Sequence, residues 1–316
     1  MFKLVLIVVS LMAFSSYAQV PCSQLLQDPG CEPGFAAWTT TAGSWSCLSP
    51  TSPTFNPATQ PQPHGGANFF FADQNPVSVL EQTISVTAYS PSIAAGMQEF
   101  WLRGYVASAL QTPSDTSQVD FDFLDASGSV LLANSSGPVA SQMAWMAVGF
   151  RRTAPIGTTD LRVRFRSVRN NGSNNDGYYD DFTLVALPVS GLGQANSVAA
   201  LLDINATASG NPGPFLVPVF VPASLTFAWS GTPNHAWYLI LGSLSPGATN
   251  LGCIGTLDLL SPFVFLSGSL DSSGLNLLTI STANIPVGVV AGVQGFVLTP
   301  GSCIGQLTAS FCISVF

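Results

Sequence analysis

The sequence predicts an all-β protein built as two β-sandwich domains in series. Three observations carry that expectation. Helical periodicity is nearly absent, and short alternating or apolar runs recur between clusters of Gly, Pro, Asn and Ser. Hydrophobic residues make up 47% of the chain and charged residues only 8%. No segment beyond the first residues is long and apolar enough for a membrane helix, so the hydrophobicity belongs to many short strands. The third observation is Gly177–Leu187, which reads as a closing strand with a carboxylate on its apolar face. Alternation puts Tyr178, Asp180, Phe182 and Leu184 on one side, and Tyr179, Asp181, Thr183 and Val185 on the other. The first side carries the large apolar groups and is expected to face the core. Asp180 is drawn inward with them, where a carboxylate needs a cation or hydrogen-bond donors.

Taken from the start, residues 1–18 read as a signal peptide. Lys3 is the positive n-region, Leu4–Phe14 the apolar stretch, and Ser16-Tyr17-Ala18 a small-x-small cleavage site before Gln19. The mature chain is then exported without an anchor. Export removes the only lysine, leaves seven arginines against 16 acids, and moves the formal charge from -8 to -9. An acidic chain without basic runs offers nothing to offset phosphate repulsion, which excludes nucleic acid and anionic lipid as partners.

Residues 19–187 form the expected first domain, with strands at 67–72, 80–86, 98–107, 118–124, 129–133, 145–151, 160–168 and 178–187. In Leu161–Val168, Leu161, Val163 and Phe165 face one way and Arg162, Arg164 and Arg166 the other. The arginine side is expected to be a solvated outer face balanced by acids rather than a ligand platform. Residues 188–194 read as a linker. Residues 195–316 are expected to be a second, neutral all-β domain: from 188 onward there is no Lys, Arg or Glu, and the only acids are Asp203, Asp258 and Asp271. So neutral a surface is expected to pack against the first domain, a second copy or a cell-surface matrix.

Six cysteines in an exported chain favour disulfides. They divide three and three, and 15 connectivities are open. Cys31–Cys47 is the preferred short loop, worth about 3 kcal/mol if unstrained, and Cys253–Cys303 would join two similar Cys-Ile-Gly segments. Within-domain pairing leaves one odd cysteine on each side, free or meeting across the domains. Zinc is disfavoured, because no CxxC pair exists and the two histidines lie far apart.

Several short motifs, in order, carry a resemblance. Asp28-Pro29-Gly30-Cys31-Glu32 opens the first domain, Leu80–Val86 and Ala94–Leu102 follow, and Tyr179-Asp180-Asp181-Phe182-Thr183-Leu184 closes it. Over roughly 22–187 this resembles the galactose-binding-like jelly-roll modules attached to carbohydrate-active enzymes. The resemblance implies a jelly-roll binding module with a structural calcium held by Glu32 and Asp180, with Asp28 standing where the family usually has Asn. The alternative for Asp180 is pairing with an arginine or with backbone amides. Cys31 stands where the family has Phe. Further on, Gly231–Asn234, Trp237–Gly242 and Gly292–Phe296 resemble a C-terminal β module of secreted bacterial proteins, which implies export and a β fold only.

Catalytic signatures are sparse. His64 and His235 fall in different domains, no Gly-x-Ser-x-Gly elbow exists, and His64-Gly65-Gly66 reads as a turn. Asp180 and Asp181 are expected on opposite faces and so cannot form a glycosidase pair. Aromatic residues are the better lead, since sugar rings stack on flat side chains. Trp45, in a Gly/Ser-rich loop, and Tyr179, on the expected outer face, are the candidate exposed pair. Asn170–Gly177 reads as a solvated hairpin loop. The expectation is an extracellular, non-catalytic protein that binds a carbohydrate or glycoconjugate through its first domain and attaches or self-associates through its second. A purely structural matrix protein is the rival, and a secreted hydrolase ranks third.

Overall fold

The computed structural model describes residues 22–189, 195–197, 199–207, 212–221, 223–251, 256–298 and 305–315. The signal peptide, most of the linker, Cys253 and Cys303 lie outside the described residues.

The chain is nearly all β. Its first half supplies β1 (Thr39–Ala42), β2 (Ser46–Leu48), β3 (Phe69–Phe71), β4 (Val77–Ser85), β5 (Glu99–Ser108), β6 (Thr116–Leu124), β7 (Val130–Ser135), β8 (Met146–Thr153), β9 (Asp160–Val168) and β10 (Gly177–Ala186). These form two five-stranded antiparallel sheets, ordered β1-β4-β9-β6-β7 and β2-β3-β10-β5-β8. Packed between them are Trp38, Phe70, Phe100, Phe121, Phe165 and Phe182. Strand β9 shows how the sequence builds this layer. Leu161, Val163 and Phe165 are buried, while Arg162 and Arg164 meet the acids of neighbouring β6 on the other face. Asp122 accepts from Arg162 at 2.7 Å and from Arg164 at 2.8 Å. Arg162 and Arg164 thus make this a charge-paired outer face.

The second half supplies β11 (Ala200–Ile204), β12 (Phe215–Val219), β13 (Ser224–Gly231), β14 (Ala236–Asn250), β15 (Thr256–Ser269), β16 (Leu275–Ser281), β17 (Val290–Leu298) and β18 (Gly305–Val315). Sheet β11-β13-β16 faces sheet β12-β18-β17-β14-β15, with β12 and β18 the parallel pair. Trp229 and Trp237 stack between the sheets at 5.0 Å, among Leu202, Leu239, Val293 and Phe311.

Two disulfides are present among the described residues. Cys31–Cys47 closes the short loop expected from spacing. Cys22–Cys312 joins the start of the first half to the last strand of the second, so one bridge crosses the halves. Apolar contacts continue that junction, with Val185, Leu187 and Trp101 packing on Leu216 and Val290.

One expectation about β10 is corrected. Its pairing with β5 shifts register between Asp180 and Thr183, and Asp181 has φ +52°. The bulge inserts a residue and reverses the alternation. Tyr179, Phe182, Leu184 and Ala186 therefore face the core, while Tyr178 packs on the opposite side with Phe69 and Phe71. The opening segment holds the bulge: Gln24 Oε1 accepts from Leu184 N at 2.8 Å, Gln24 Nε2 donates to Phe182 O at 3.1 Å, and Pro29 O accepts from Phe182 N at 3.1 Å.

Candidate functional site

The bulge decides where the chemistry lies. It turns Asp180 and Asp181 toward the same loop, residues 64–66, instead of toward opposite faces. Asp180 is fully buried (0% exposed) and is met by main-chain donors: His64 N at 2.8 Å and Gly65 N at 3.3 Å on Oδ2, and Asp181 N at 2.8 Å on Oδ1. Burial first, and the neighbouring Asp181 second, push its pKa well above the usual carboxylate range, against the pull of these three hydrogen bonds. Of the two sequence alternatives for Asp180, the backbone amides are the partners seen.

Asp181 reaches the same loop through its side chain. Its Oδ2 lies 2.7 Å from His64 Nδ1. A carboxylate oxygen can only accept, so Nδ1 carries the proton and Nε2 is left as the second functional nitrogen. The imidazole is clamped from the side as well: it stacks on Tyr105 at 3.5 Å between centroids, with Trp145 edge-on at 6.2 Å. Glu32 arrives from the opening motif. Its Oε1 accepts from Ala67 N at 2.8 Å and Asn68 N at 3.0 Å, and its Oε2 accepts from Asn68 Nδ2 at 3.2 Å. Glycine is required at two positions of this loop. A Cβ on Gly65 would strike the Asp181 carboxylate, and one on Gly66, which has φ +62°, would strike Glu32.

These groups line a cleft of about 620 Å³. One wall is Pro29, Gly30, Glu32, Pro33, His64, Gly65, Gly66, Asp181 and Phe182; the other comes from the second half, through Val221 and residues 283–287. Among the described residues the lining contains no Ser, Thr or Cys, so no hydroxyl or thiol of those types stands beside His64 and Asp181 there; Glu32 is the other carboxylate.

The residues singled out in the sequence divide sharply. Glu32 and Asp180 do come to one loop. Asp28 precedes Glu32 in the opening motif with φ +50°, its Oδ2 accepting from Ala37 N at 3.3 Å. For calcium the donor set does not fit. The partners gathered around these carboxylates are N–H groups, and among the described residues no three His, Cys, Asp or Glu side chains converge. Trp45 and Tyr179 are corrected: they are 7% and 0% exposed and pack on each other inside the sandwich at 5.5 Å. The reversed alternation carries Tyr179 inward, where it stacks on Phe165 at 4.6 Å and its hydroxyl donates to Arg166 O at 2.6 Å. Neither ring presents a face to a ligand. His64, Asp181 and the 283–287 segment are the groups the sequence reading missed. The signal for His64 was the pair of glycines after it, which permits close approach of side chains to the loop.

No protein-family model matches the chain, and no curated protein matches it. Among solved structures it is similar to the enzymatically active domain of bacteriophage CBA120 tailspike protein 4, at 13% identity over 52% of this chain, with TM-score 0.37; it spans 21% of that chain. It is similar to a CBM61 module in complex with β-1,4-galactotriose at 15% identity, covering 52% of this chain and 98% of that one, with TM-score 0.36. Similarity to the tandem CBM22-1–CBM22-2 domain of Paenibacillus barcinonensis Xyn10C covers 84% of this chain and 86% of that one, at 10% identity and TM-score 0.35.

Proposed function

We propose that this chain is an extracellular, non-catalytic carbohydrate- or glycoconjugate-binding protein whose ligand sits in the cleft between the 64–66 loop and the second half. The observation that supports this is the pairing of a fixed polar wall with an apolar one. His64, Asp181 and Glu32 are held in place by stacking and main-chain hydrogen bonds, opposite Val221, Ile285 and Pro286. A sugar presents hydroxyls on its rim and C–H groups on its faces, and such a cleft meets both without rearranging its side chains. The volume falls in the ordinary range for a small-ligand site. An extracellular location is supported by the two disulfides. Among the described residues no helix is long and apolar enough to cross a membrane.

A purely structural role is the second reading, favoured by the Cys22–Cys312 tie, which fixes the halves to each other without any need for a ligand. Screening the full mature chain on a glycan array, followed by titration of the best hit against His64→Ala and Glu32→Gln, separates the two. Cleft binding predicts a loss of about tenfold or more in affinity for His64→Ala in a folded protein. Full affinity in both folded variants would remove the cleft from consideration, and no binding by the parent protein favours the structural role.

A further inference from the structure

Strand β15 is the last strand of its sheet. Strand β14 pairs with one side of it, and among the described residues no strand pairs with the other. A free edge of this kind holds a row of main-chain N–H and C=O groups ready to pair with another strand. Among the other edges, β7, β11 and β16 are short, at 6, 5 and 7 residues, and β7 and β16 carry neither charge nor proline; the rest are guarded. Strand β8 carries Arg151 and Arg152, β1 and β2 are 4 and 3 residues long, and β12 has five residues with Pro218 among them. In β15, which has 14 residues, the only charged side chain is Asp258, and that is buried. Ser261, with φ +50°, and Pro262 break the strand near its middle; beyond them Phe263–Ser269 follows β14 with neither charge nor proline.

The side chains at this edge are as unusual as the backbone. Leu260 is 47% exposed, Phe263 57%, Val264 56% and Phe265 48%. Phe263, Val264 and Phe265 are thus three consecutive large apolar residues left open, and the pairing with β14 shifts register at Phe265, between the pairs Leu239–Leu266 and Ile240–Val264.

We propose that β15 joins two copies of this chain, pairing antiparallel along Phe263–Ser269 so that each five-stranded sheet continues into its partner's. A second copy is the occupant these observations favour. A strand edge related to itself by a two-fold axis supplies both the donors and the acceptors the other needs. The surrounding half contains no Lys, Arg or Glu, so copies are not held apart by charge there, and a charged partner or an anionic lipid surface has nothing to grip. Taking about 200 Å² for a fully exposed large side chain, Phe263, Val264 and Phe265 leave roughly 300 Å² of apolar surface per copy. Two copies then bury at most roughly 600 Å², small enough that only weak, concentration-dependent association is expected.

Sedimentation velocity of the full mature chain, from about 1 µM to about 500 µM, tests this. The expected result is a dimer fraction that rises with concentration. Phe265→Lys and Ser267→Lys each put a like charge on both copies and are expected to weaken the dimer about tenfold or more. Ser267 is exposed, so its variant keeps the fold even where Phe265→Lys loses it, and the melting temperature of each variant is measured alongside. A protein that stays monomeric over the whole range overturns the proposal. So does a dimer of undiminished strength in the folded Ser267→Lys and Phe265→Lys proteins.

Discussion

The two halves of this molecule handle polarity in opposite ways. The first half buries charge and pairs it: Asp122 sits beneath two arginines, Asp180 beneath three amides, and Asp181 against His64. The second half all but dispenses with charge. Its buried Asp258 accepts from the Ser310 hydroxyl at 2.8 Å, and its cavity wall is formed by Val221, Ala283, Asn284, Ile285, Pro286 and Val287. The difference shows how a cleft between two sandwiches can be chemically two-sided. Fixed polar groups come from the half that has invested in hydrogen bonding, and the apolar wall from the half that has not. It also shows where each half is vulnerable, in its ion pairs on one side and in its unguarded strand edge on the other.

The sharpest way to break the comparison is to cut the covalent tie. Cys22–Cys312 closes a loop with a sequence separation of 290, so Cys22→Ser with Cys312→Ser is expected to lower stability by about 5 kcal/mol by the chain-entropy argument. Urea unfolding should then resolve two transitions where the parent shows one. A single unshifted transition means that the halves are coupled by their packing alone.

Next in size are the large core aromatics, one from each half. Trp45→Ala and Trp229→Ala are each expected to cost about 3 kcal/mol or more, because both rings are buried. Neither ring lines the cleft, so the glycan affinity of whatever folded protein remains should be unchanged. A selective loss of affinity with Trp45→Ala, at parental stability, would restore that residue as a ligand platform.

Asp122→Ala tests the charge pairing on the outer face of the first half. It leaves Arg162 and Arg164, both partly exposed, without their shared acceptor, and about 1 kcal/mol is expected. Chemical denaturation in low and high salt reads it: the difference from the parent should shrink as salt rises.

The next test concerns pH. The folded-state pKa of Asp180 is raised above its unfolded value, so the folded protein binds the extra proton. The associated stability is complete below the unfolded pKa, near 4, and is lost as pH rises through the raised value. Melting temperature should therefore fall across that window, and Asp180→Asn should flatten the slope even if it lowers stability at every pH. An equal slope in both proteins would assign the dependence elsewhere. The smallest expected effect is that of calcium. The carboxylates of Asp28, Glu32 and Asp180 already face N–H donors, so millimolar calcium or its chelation should leave the melting temperature unchanged. A rise with calcium would show that oxygen ligands beyond these residues complete a site.

Much of this protein is written locally in its sequence. Alternation in Leu161–Val168 specifies which side of β9 is core, because a strand has only two faces and Leu, Val and Phe cannot share one with three arginines. The short Cys31–Cys47 loop follows from the same short-range logic, whereas Asp180 is buried on the Tyr178 side of the strand, under the 64–66 loop, and not by the alternation that predicted it. Tertiary structure decided the rest. A single inserted residue at Asp181 reversed the faces of β10, and no periodicity can register a bulge whose cause is the hydrogen bonding of Gln24 and Pro29, about 150 residues away. That reversal took Tyr179 from the expected surface to the core and brought both aspartates to His64. The cleft needs loops at 28–34 and 64–66 to meet the segment 283–287, and Cys22 needs to meet Cys312. Contacts between groups so distant in the chain depend on how two completed sandwiches dock, and docking is a property of their surfaces that no local pattern of residues encodes.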